Sequence, residues 1–247
     1  MTNPEEEFKA SRTVALKEQG DDQDLVALSR RWMVQSARHG YTYNFRWMGR
    51  PIIQFPQDIV ALQEVIWNVK PQIIVETGVA HGGSAVFFAS MLELLGERDG
   101  KVIAVDVEIR PHNRKAIESH ALARRIRLIE GSSISDPVID QVRAEIAGKG
   151  PVMVVLDSDH TREHVLSELR RYSPMVTVGS YIVVMDTSVE YAPKELFPNR
   201  SWGPGNSPLS AVHDFISEND QFAIDPEFDN KLLISVAPEG FLRRKSG

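Results

Sequence analysis

Cysteine is absent from the 247 residues. That absence excludes a disulfide framework, a thiolate nucleophile, a thiolate zinc site and an iron–sulfur centre. Any metal must therefore be held by oxygen or imidazole ligands. Long apolar runs are lacking too, and none approaches the roughly 20 residues that span a bilayer. The N-terminus MTNPEEEFKA does not have the basic-then-apolar order of a signal peptide, so a cytoplasmic protein with no membrane partner is expected. Positive charge is in deficit, with 28 Lys and Arg against 34 Asp and Glu. Backbone binding to nucleic acid needs a concentrated basic surface, so a nucleic-acid partner is not expected. Several fingerprints are missing as well: a Gly-Lys-Ser/Thr P-loop, a GxGxxG dinucleotide turn, a Gly-x-Ser-x-Gly elbow and HExxH. What remains is 42% hydrophobic residues in a chain long enough to bury a real core, with one large domain, or one plus a small appendage, as the starting expectation.

The acids Glu5, Glu6, Glu7, Asp21, Asp22 and Asp24 mark the first 30 or so residues as a surface helix or a loose arm. Leu25 to Ala37 repeats apolar residues at helical spacing. Residues 41–58, YTYNFRWMGRPIIQFPQD, are dense in aromatics and read as a long ordered loop with room for a short strand. Asp58 is expected to cap a helix over Ile59–Val69. Five apolar runs follow: Gln72–Glu76, Lys101–Asp106, Ile126–Glu130, Val152–Asp157 and Ser180–Asp186. They alternate with helical periodicity at Ala85–Leu95, Arg114–Arg124, Pro137–Ile146 and Thr161–Tyr172. This alternation implies an α/β fold, a mostly parallel central sheet with helices on both faces. Residues 187–210 break the rhythm before a helix over Ala211–Glu218. Phe222–Ile224 and Lys231–Val236 are expected to pair as a C-terminal antiparallel hairpin, with the basic tail FLRRKSG frayed.

In an open α/β sheet, ligands bind outside the carboxyl ends of the strands. Glu76, Asp106, Asp157 and Asp186 each end an apolar run, and four acids on one sheet edge point to ligand contact. The loop Glu76-Thr77-Gly78-Val79-Ala80-His81-Gly82-Gly83-Ser84 joins a strand to a helix. Its glycines permit close backbone approach, and the helix start offers free amides; His81 is placed to line the same site. Asp106 stands where a carboxylate accepts hydrogen bonds from both hydroxyls of a ribose. The expected ligand is a nucleoside cofactor without a bulky pyrophosphate, and S-adenosylmethionine meets that description better than NAD. Glu130-Gly131-Ser132-Ser133 borders the adenine in this reading. Asp157 and Asp186, with waters, suit Mg²⁺, and Asp159 or His160 just beyond is the base for a substrate hydroxyl. His39, His112, His120, His164 and His213 are expected as surface or packed side chains. The aromatic loop, with Tyr41, Tyr43, Phe45 and Trp47, folds over the site or makes a subunit contact. Residues 192–208, with Trp202 and Asn206, have the character of a rim loop or lid.

Taken in order, IIVETGVAHGGSAVFFA, KVIAVDVEIR, IRLIEGSS, VMVVLDSDH and SYIVVMDT resemble the cephalosporin hydroxylase family. Despite its label, that family looks like class I S-adenosylmethionine-dependent methyltransferases and is similar in its core to catechol-type and macrolide-sugar O-methyltransferases. YNFRWMGRPIIQFPQD also fits, so the likeness runs from about residue 40 to about 236. It implies a Rossmann-like methyltransferase domain over 58–247 preceded by a helical and aromatic arm over 1–57. Glu76 and the Gly78–Gly83 loop become the methionine-side wall, with Gly82 and Ser84 beside it. Asp106 becomes the ribose ligand, Ser133 a neighbour of adenine, and Asp157 and Asp186 metal ligands. Antibiotic-type relatives carry two adjacent acids where this chain has Asp186-Thr187, so Thr187 or water takes the third position. The sugar-methylating relatives imply a base at Asp159, the catechol type at His160. The implied activity is metal-dependent O-methylation of a small molecule or sugar by a homo-oligomer. The alternatives are a metal-independent methyltransferase and a cofactor-binding accessory protein of a hydroxylase or oxygenase.

Overall fold

A computed structural model describes residues 3–245. In chain order the elements are α1 (Pro4–Asp21), α2 (Gln23–Ala37), β1 (Arg46–Trp47), β2 (Arg50–Pro51), α3 (Pro56–Val69), β3 (Ile73–Thr77), α4 (Gly83–Leu94), β4 (Lys101–Asp106), α5 (Pro111–Glu118), β5 (Ile126–Glu130), α6 (Asp136–Ile146), β6 (Val152–Leu156), α7 (Arg162–Tyr172), β7 (Tyr181–Val184), α8 (Pro208–Glu218), β8 (Phe222–Ile224), α9 (Pro226–Leu232) and β9 (Phe241–Arg244). Among the described residues, no helix is long and apolar enough to cross a membrane.

The five apolar runs form β3 to β7 and pair in parallel, in the order β5-β4-β3-β6-β7; β9 and β8 complete the sheet with antiparallel pairings. Side chains alternate between the two layers. Ile74, Met153 and Val183 pack with Leu62 of α3 and Phe87 and Phe88 of α4 on one face. Val75, Val154 and Ile182 pack with Val142, Leu169 and Phe215 of α6, α7 and α8 on the other. Burial on both faces is why these strands read as continuous apolar runs. Each such side chain contributes roughly 1.5–3 kcal/mol, so the central strands form a rigid base for the loops at their carboxyl ends. The chain runs outward from β3 through β4 to β5, then crosses back to β6 and β7. The direction reverses between β3 and β6, which opens a crevice at that switch point.

Four expectations are corrected. The terminal hairpin forms, but its second strand is Phe241–Arg244, not Lys231–Val236. Asp225 caps α9 by accepting from the Glu227 amide at 3.1 Å, Pro226 occupies the first turn, and Leu233 takes a positive φ of 52° that ends the helix. The basic tail is ordered because Phe241 and Leu242 are buried while Arg244 donates to the Pro174 carbonyl at 3.2 Å; Ser246 and Gly247 lie outside the described residues. Asp58 does not cap its helix, which begins two residues earlier at Pro56. Its carboxylate points inward and accepts from Ser235 Oγ at 2.5 Å and from the Val236 amide at 3.0 Å. The helix expected over Arg114–Arg124 spans Pro111–Glu118. It stops where His120 Nδ1 accepts from the Leu122 amide at 3.2 Å and a 3₁₀ turn, Ala123–Arg125, begins.

The N-terminal residues form two helices. Gln19 of α1 donates to the Asn230 carbonyl at 2.6 Å, which ties that helix to α9. Trp32 of α2 meets Tyr41 edge-on at 5.0 Å, and Tyr41 meets Phe45 at 5.1 Å. The aromatic loop is thereby packed between α2 and the core rather than extended.

Candidate active site

Gly78 follows β3 and Asp157 follows β6, on either side of the crevice. The Gly78 amide donates to the Val105 carbonyl at 2.8 Å and the Asp157 amide to the Thr77 carbonyl at 2.9 Å, so both turns leave the sheet in fixed directions. Gly78 has φ of +90°, and a Cβ there would collide with the Asp157 carbonyl; only glycine fits both the backbone and the space. The rest of the loop is clasped from several sides. Asp106 Oδ2 accepts from the Val79 and Ala80 amides at 2.8 and 3.2 Å, and its Oδ1 accepts from the Glu108 amide at 3.1 Å. Arg50 of the aromatic loop donates to the His81 carbonyl at 2.9 Å and to Asn113 Oδ1 at 3.0 Å. Glu76 is buried beneath the loop. Burial, with a smaller contribution from Asp106, pushes its carboxyl up to about 8 despite a hydrogen bond from Ser84. Glu76 Oε2 has no hydrogen-bond partner among the described residues.

The second constellation joins β6 and β7. Asp157, His160 and Asp186 each offer a ligand atom within 4.8 Å of one another. His160 Nε2 lies 3.2 Å from Asp186 Oδ2 and 3.8 Å from Asp157 Oδ1. Asp186 adopts a left-handed φ of 56°. Burial, then the charges of Asp186 and Glu76, raises the Asp157 carboxyl well above the usual carboxylate range. An acid left in that state gains from a cation.

Asp186 is held from behind by a strap, residues 235–238. The Ser188 amide donates to the Val236 carbonyl at 3.1 Å, and Thr187 Oγ1 donates to the Pro238 carbonyl at 2.6 Å. Asp58 anchors the other side of the same strap through Ser235 and Val236. Burial pushes the Asp58 carboxyl up to about 7, against its two hydrogen bonds. Thr187 is fully buried with its hydroxyl committed to this strap. Thr187 Oγ1, expected as a possible third ligand, is thus engaged with the backbone, and the third ligand-type atom beside the two carboxylates is His160 Nε2.

The two alternatives for the base part company. Asp159 is exposed, and its Oδ1 accepts from the Thr161 amide at 2.7 Å at the start of α7. Burial acts to raise this carboxyl, but the Thr161 hydrogen bonds and the neighbouring His164 and His160 outweigh it and leave it lowered. A lowered carboxylate is the weaker base. His160 faces the acids, its Nδ1 buried and without a partner among the described residues. Trp202 covers it, ring centroid to ring centroid 5.3 Å. Glu190 secures the loop that carries Trp202 by accepting from the Gly205 amide at 3.0 Å and from Ser207 Oγ at 2.5 Å. The Arg162 amide donates to Asn206 Oδ1 at 3.1 Å, docking that loop onto α7.

Two cavities meet at Gly78, Asp157 and Ser158. One, of about 240 Å³, is lined by Tyr43, Gln54, His81, Gly83, Ser84, His160 and Asp186. The other, of about 390 Å³, is lined by Ala80, Asp106, Ser133, Asp159 and His164. The aromatic loop thus faces the site through Tyr43 and Gln54, while Trp47 packs on Phe87. Of the expected residues, Gly82 lies behind the loop against Ile117 and Glu76 lies beneath it. His164 is not merely a packed side chain. Its Nε2 is 3.0 Å from Ser133 Oγ and 3.2 Å from Ser158 Oγ, and the fully buried Glu168 raises it. The signal for it was the spacing: His160 and His164 stand four residues apart, and His164 and Glu168 share one helix face.

These residues fit the groups that the sequence implies. A carboxyl with an orphaned buried oxygen, a glycine turn and two joined cavities suit an elongated cofactor with an amino-acid end and a nucleoside end. Asp106 retains acceptor capacity for a hydroxyl beyond the loop amides it holds. Two carboxylates and an imidazole within ligand distance suit a divalent cation.

The Rhamnosyl O-methyltransferase/CmcI family profile matches residues 39–245. Rhamnosyl O-methyltransferase of Mycobacterium tuberculosis is 34% identical over 193 residues, covering 76% of this chain and 73% of that one. The Mycobacterium leprae protein of the same name is 30% identical over 202 residues, 81% of this chain and 82% of that one. A solved CmcI chain with Mg and SAM superposes with a TM-score of 0.58 at 18% identity, covering 83% of this chain and 78% of that one, and shows the shared fold. The chain belongs to the Rhamnosyl O-methyltransferase/CmcI family and is an S-adenosylmethionine-dependent O-methyltransferase.

Proposed function

We propose that this protein methylates a hydroxyl of a small, sugar-bearing molecule, with S-adenosylmethionine as donor and a divalent cation, Mg²⁺, at Asp157 and Asp186. The observation that carries the proposal is the meeting of Asp157, His160 and Asp186 at the mouth of the Gly78 crevice. The mycobacterial relatives bear the name rhamnosyl O-methyltransferase, and CmcI has been solved with Mg and SAM. Both support the substrate and cofactor classes. In this proposal Glu76 and Ser84 take the amino-acid end of the cofactor, while Asp106, Ser133 and His164 take the nucleoside end. The cation supplies Lewis acidity that lowers the pKa of an acceptor hydroxyl presented to it. His160 Nε2 receives the hydroxyl proton, and the Asp186 carboxylate stabilises the imidazolium that results. Trp202 and the loop behind it keep water from the reacting oxygen. Fixed placement of hydroxyl and methyl group provides much of the rate. The acceptor is proposed to be a small molecule rather than nucleic acid, and the working form a homo-oligomer.

The test is transfer of labelled methyl from S-adenosylmethionine to a rhamnoside by the purified protein, with Mg²⁺ and with chelator. A second reading, metal-independent transfer, is favoured by the 3.2 Å contact of His160 with Asp186, which places a carboxylate beside the imidazole to balance its positive charge without a cation. Activity that survives chelator selects it.

A further inference from the structure

Asp186 lines two cavities. One is the cleft that it shares with Gly78 and His160. The other, of about 130 Å³, is walled by Met33, Val34 and Ala37 on one side and by Val189, Leu196 and Phe197 on the other. Asp186 is the only carboxylate among the described residues of its lining; Arg30 also lines it, with its guanidinium engaged over the Tyr191 ring at 4.1 Å, and most of the surface is carbon. An engineered apolar cavity of about 150 Å³ stays dry and takes up benzene, so this one has the size and character for a six-membered ring. One feature ties it to the reaction: it opens on the same acid that faces His160. Its outer wall, α2 (Gln23–Ala37), precedes residue 39, where the family match begins.

We infer that this cavity is a second acceptor subsite. It takes an uncharged, ring-sized apolar body attached next to the hydroxyl that faces Asp157, His160 and Asp186, and α2 sets which bodies fit. The inference rests on the acceptor-hydroxyl reading above and names the chemistry of the group beside that hydroxyl.

The test uses the full chain loaded with S-adenosylhomocysteine and three probes: methyl rhamnoside, cyclohexyl rhamnoside and cyclohexanol. Calorimetry on the wild type is expected to give cyclohexyl rhamnoside an affinity about tenfold or more above methyl rhamnoside, because the ring's methylenes leave water. Cyclohexanol alone is expected to shift the NMR resonance of the Met33 ε-methyl. Met33→Trp fills the cavity and is expected to bring the two glycosides within about twofold of each other, with binding of S-adenosylhomocysteine retained. Leu196→Ala, which enlarges the cavity, is expected to keep the cyclohexyl preference. Equal affinities in the wild type, a Met33 resonance unmoved by cyclohexanol, or a preference that survives Met33→Trp each overturns the inference. If neither glycoside binds but cyclohexanol still shifts Met33, the sugar reading fails and the subsite stands.

Discussion

His160 Nε2 stands 3.2 Å from Asp186 Oδ2, although the two residues come from different strand ends and are brought together only by the parallel pairing of β6 with β7. That contact makes His160 and the acids separable by mutation. Asp186→Asn keeps the shape and removes a charge. It is expected to weaken Mn²⁺ binding by at least the roughly 10–100-fold that loss of a metal-site partner costs. Mn²⁺ titration followed by electron paramagnetic resonance checks this, and an affinity within about twofold of the wild type counts against it.

His160→Gln should behave differently. As the proton acceptor, its loss is expected to lower kcat by about 100-fold or more. Mn²⁺ affinity should change far less than in Asp186→Asn. A variant that loses metal and rate in parallel would make His160 a ligand.

Gly78→Ala places a methyl group against the Asp157 carbonyl at a φ of +90°. Backbone strain of this kind costs about 1–3 kcal/mol, and relief requires β3 and β6 to part at the crevice. The expected result is a lower Tm together with loss of measurable S-adenosylhomocysteine binding by calorimetry. Unchanged cofactor affinity would mean that the crevice does not hold the cofactor.

Two buried carboxyls and one half-buried carboxyl tie stability to pH. Burial raises Glu76 to about 8, Asp58 to about 7 and Asp229 to about 6. A carboxyl raised in the folded state holds a proton that the unfolded chain has already released. Its contribution is therefore complete below the ordinary carboxylate range and is lost as pH climbs toward the folded value. Between pH 5 and 8, the Tm without metal or cofactor is expected to fall, each group adding at most about 1.4 kcal/mol per pH unit while it is in range. Glu76→Gln and Asp58→Asn should each flatten the decline. A Tm that rises across this interval contradicts the assignment.

Thr187→Val removes the hydroxyl that donates to Pro238 and leaves a partly buried carbonyl short of a partner, at a cost of about 1 kcal/mol. Thr187→Ser is expected to restore most of the loss. Mn²⁺ affinity should stay within about threefold in both; a loss as large as that of Asp186→Asn would return Thr187 to the ligand set.

Much of this arrangement was legible in the sequence because it follows from local chemistry. Runs such as VMVVLD are apolar throughout, as strands covered on both faces must be, and each exposes its terminal acid at the same edge. The parallel order of those strands then places Asp157 beside Asp186. What escaped depends on distant partners. Asp58 has the sequence of a helix cap, yet its partners are Ser235 and Val236, nearly the whole chain away. Thr187 stands beside Asp186 in sequence, and only the distant strap shows where its hydroxyl is engaged. The basic tail gave no sign of a sheet strand, since half of β9 is arginine and only its neighbours β7 and β8 make it one. His164 has Glu168 four residues on, a pairing visible in the sequence, whereas its contact with Ser133 comes from a distant part of the chain.

The central claim is that Asp157 and Asp186 hold the divalent cation on which methyl transfer depends. Its most direct measurement is Mn²⁺ titration of the S-adenosylhomocysteine-loaded protein, wild type beside Asp157→Asn/Asp186→Asn, read by electron paramagnetic resonance. The expected result is one bound ion per wild-type chain and none at comparable concentration in the double variant, with S-adenosylhomocysteine still bound to both. Equal Mn²⁺ binding by the two proteins, or no binding by the wild type, would contradict it.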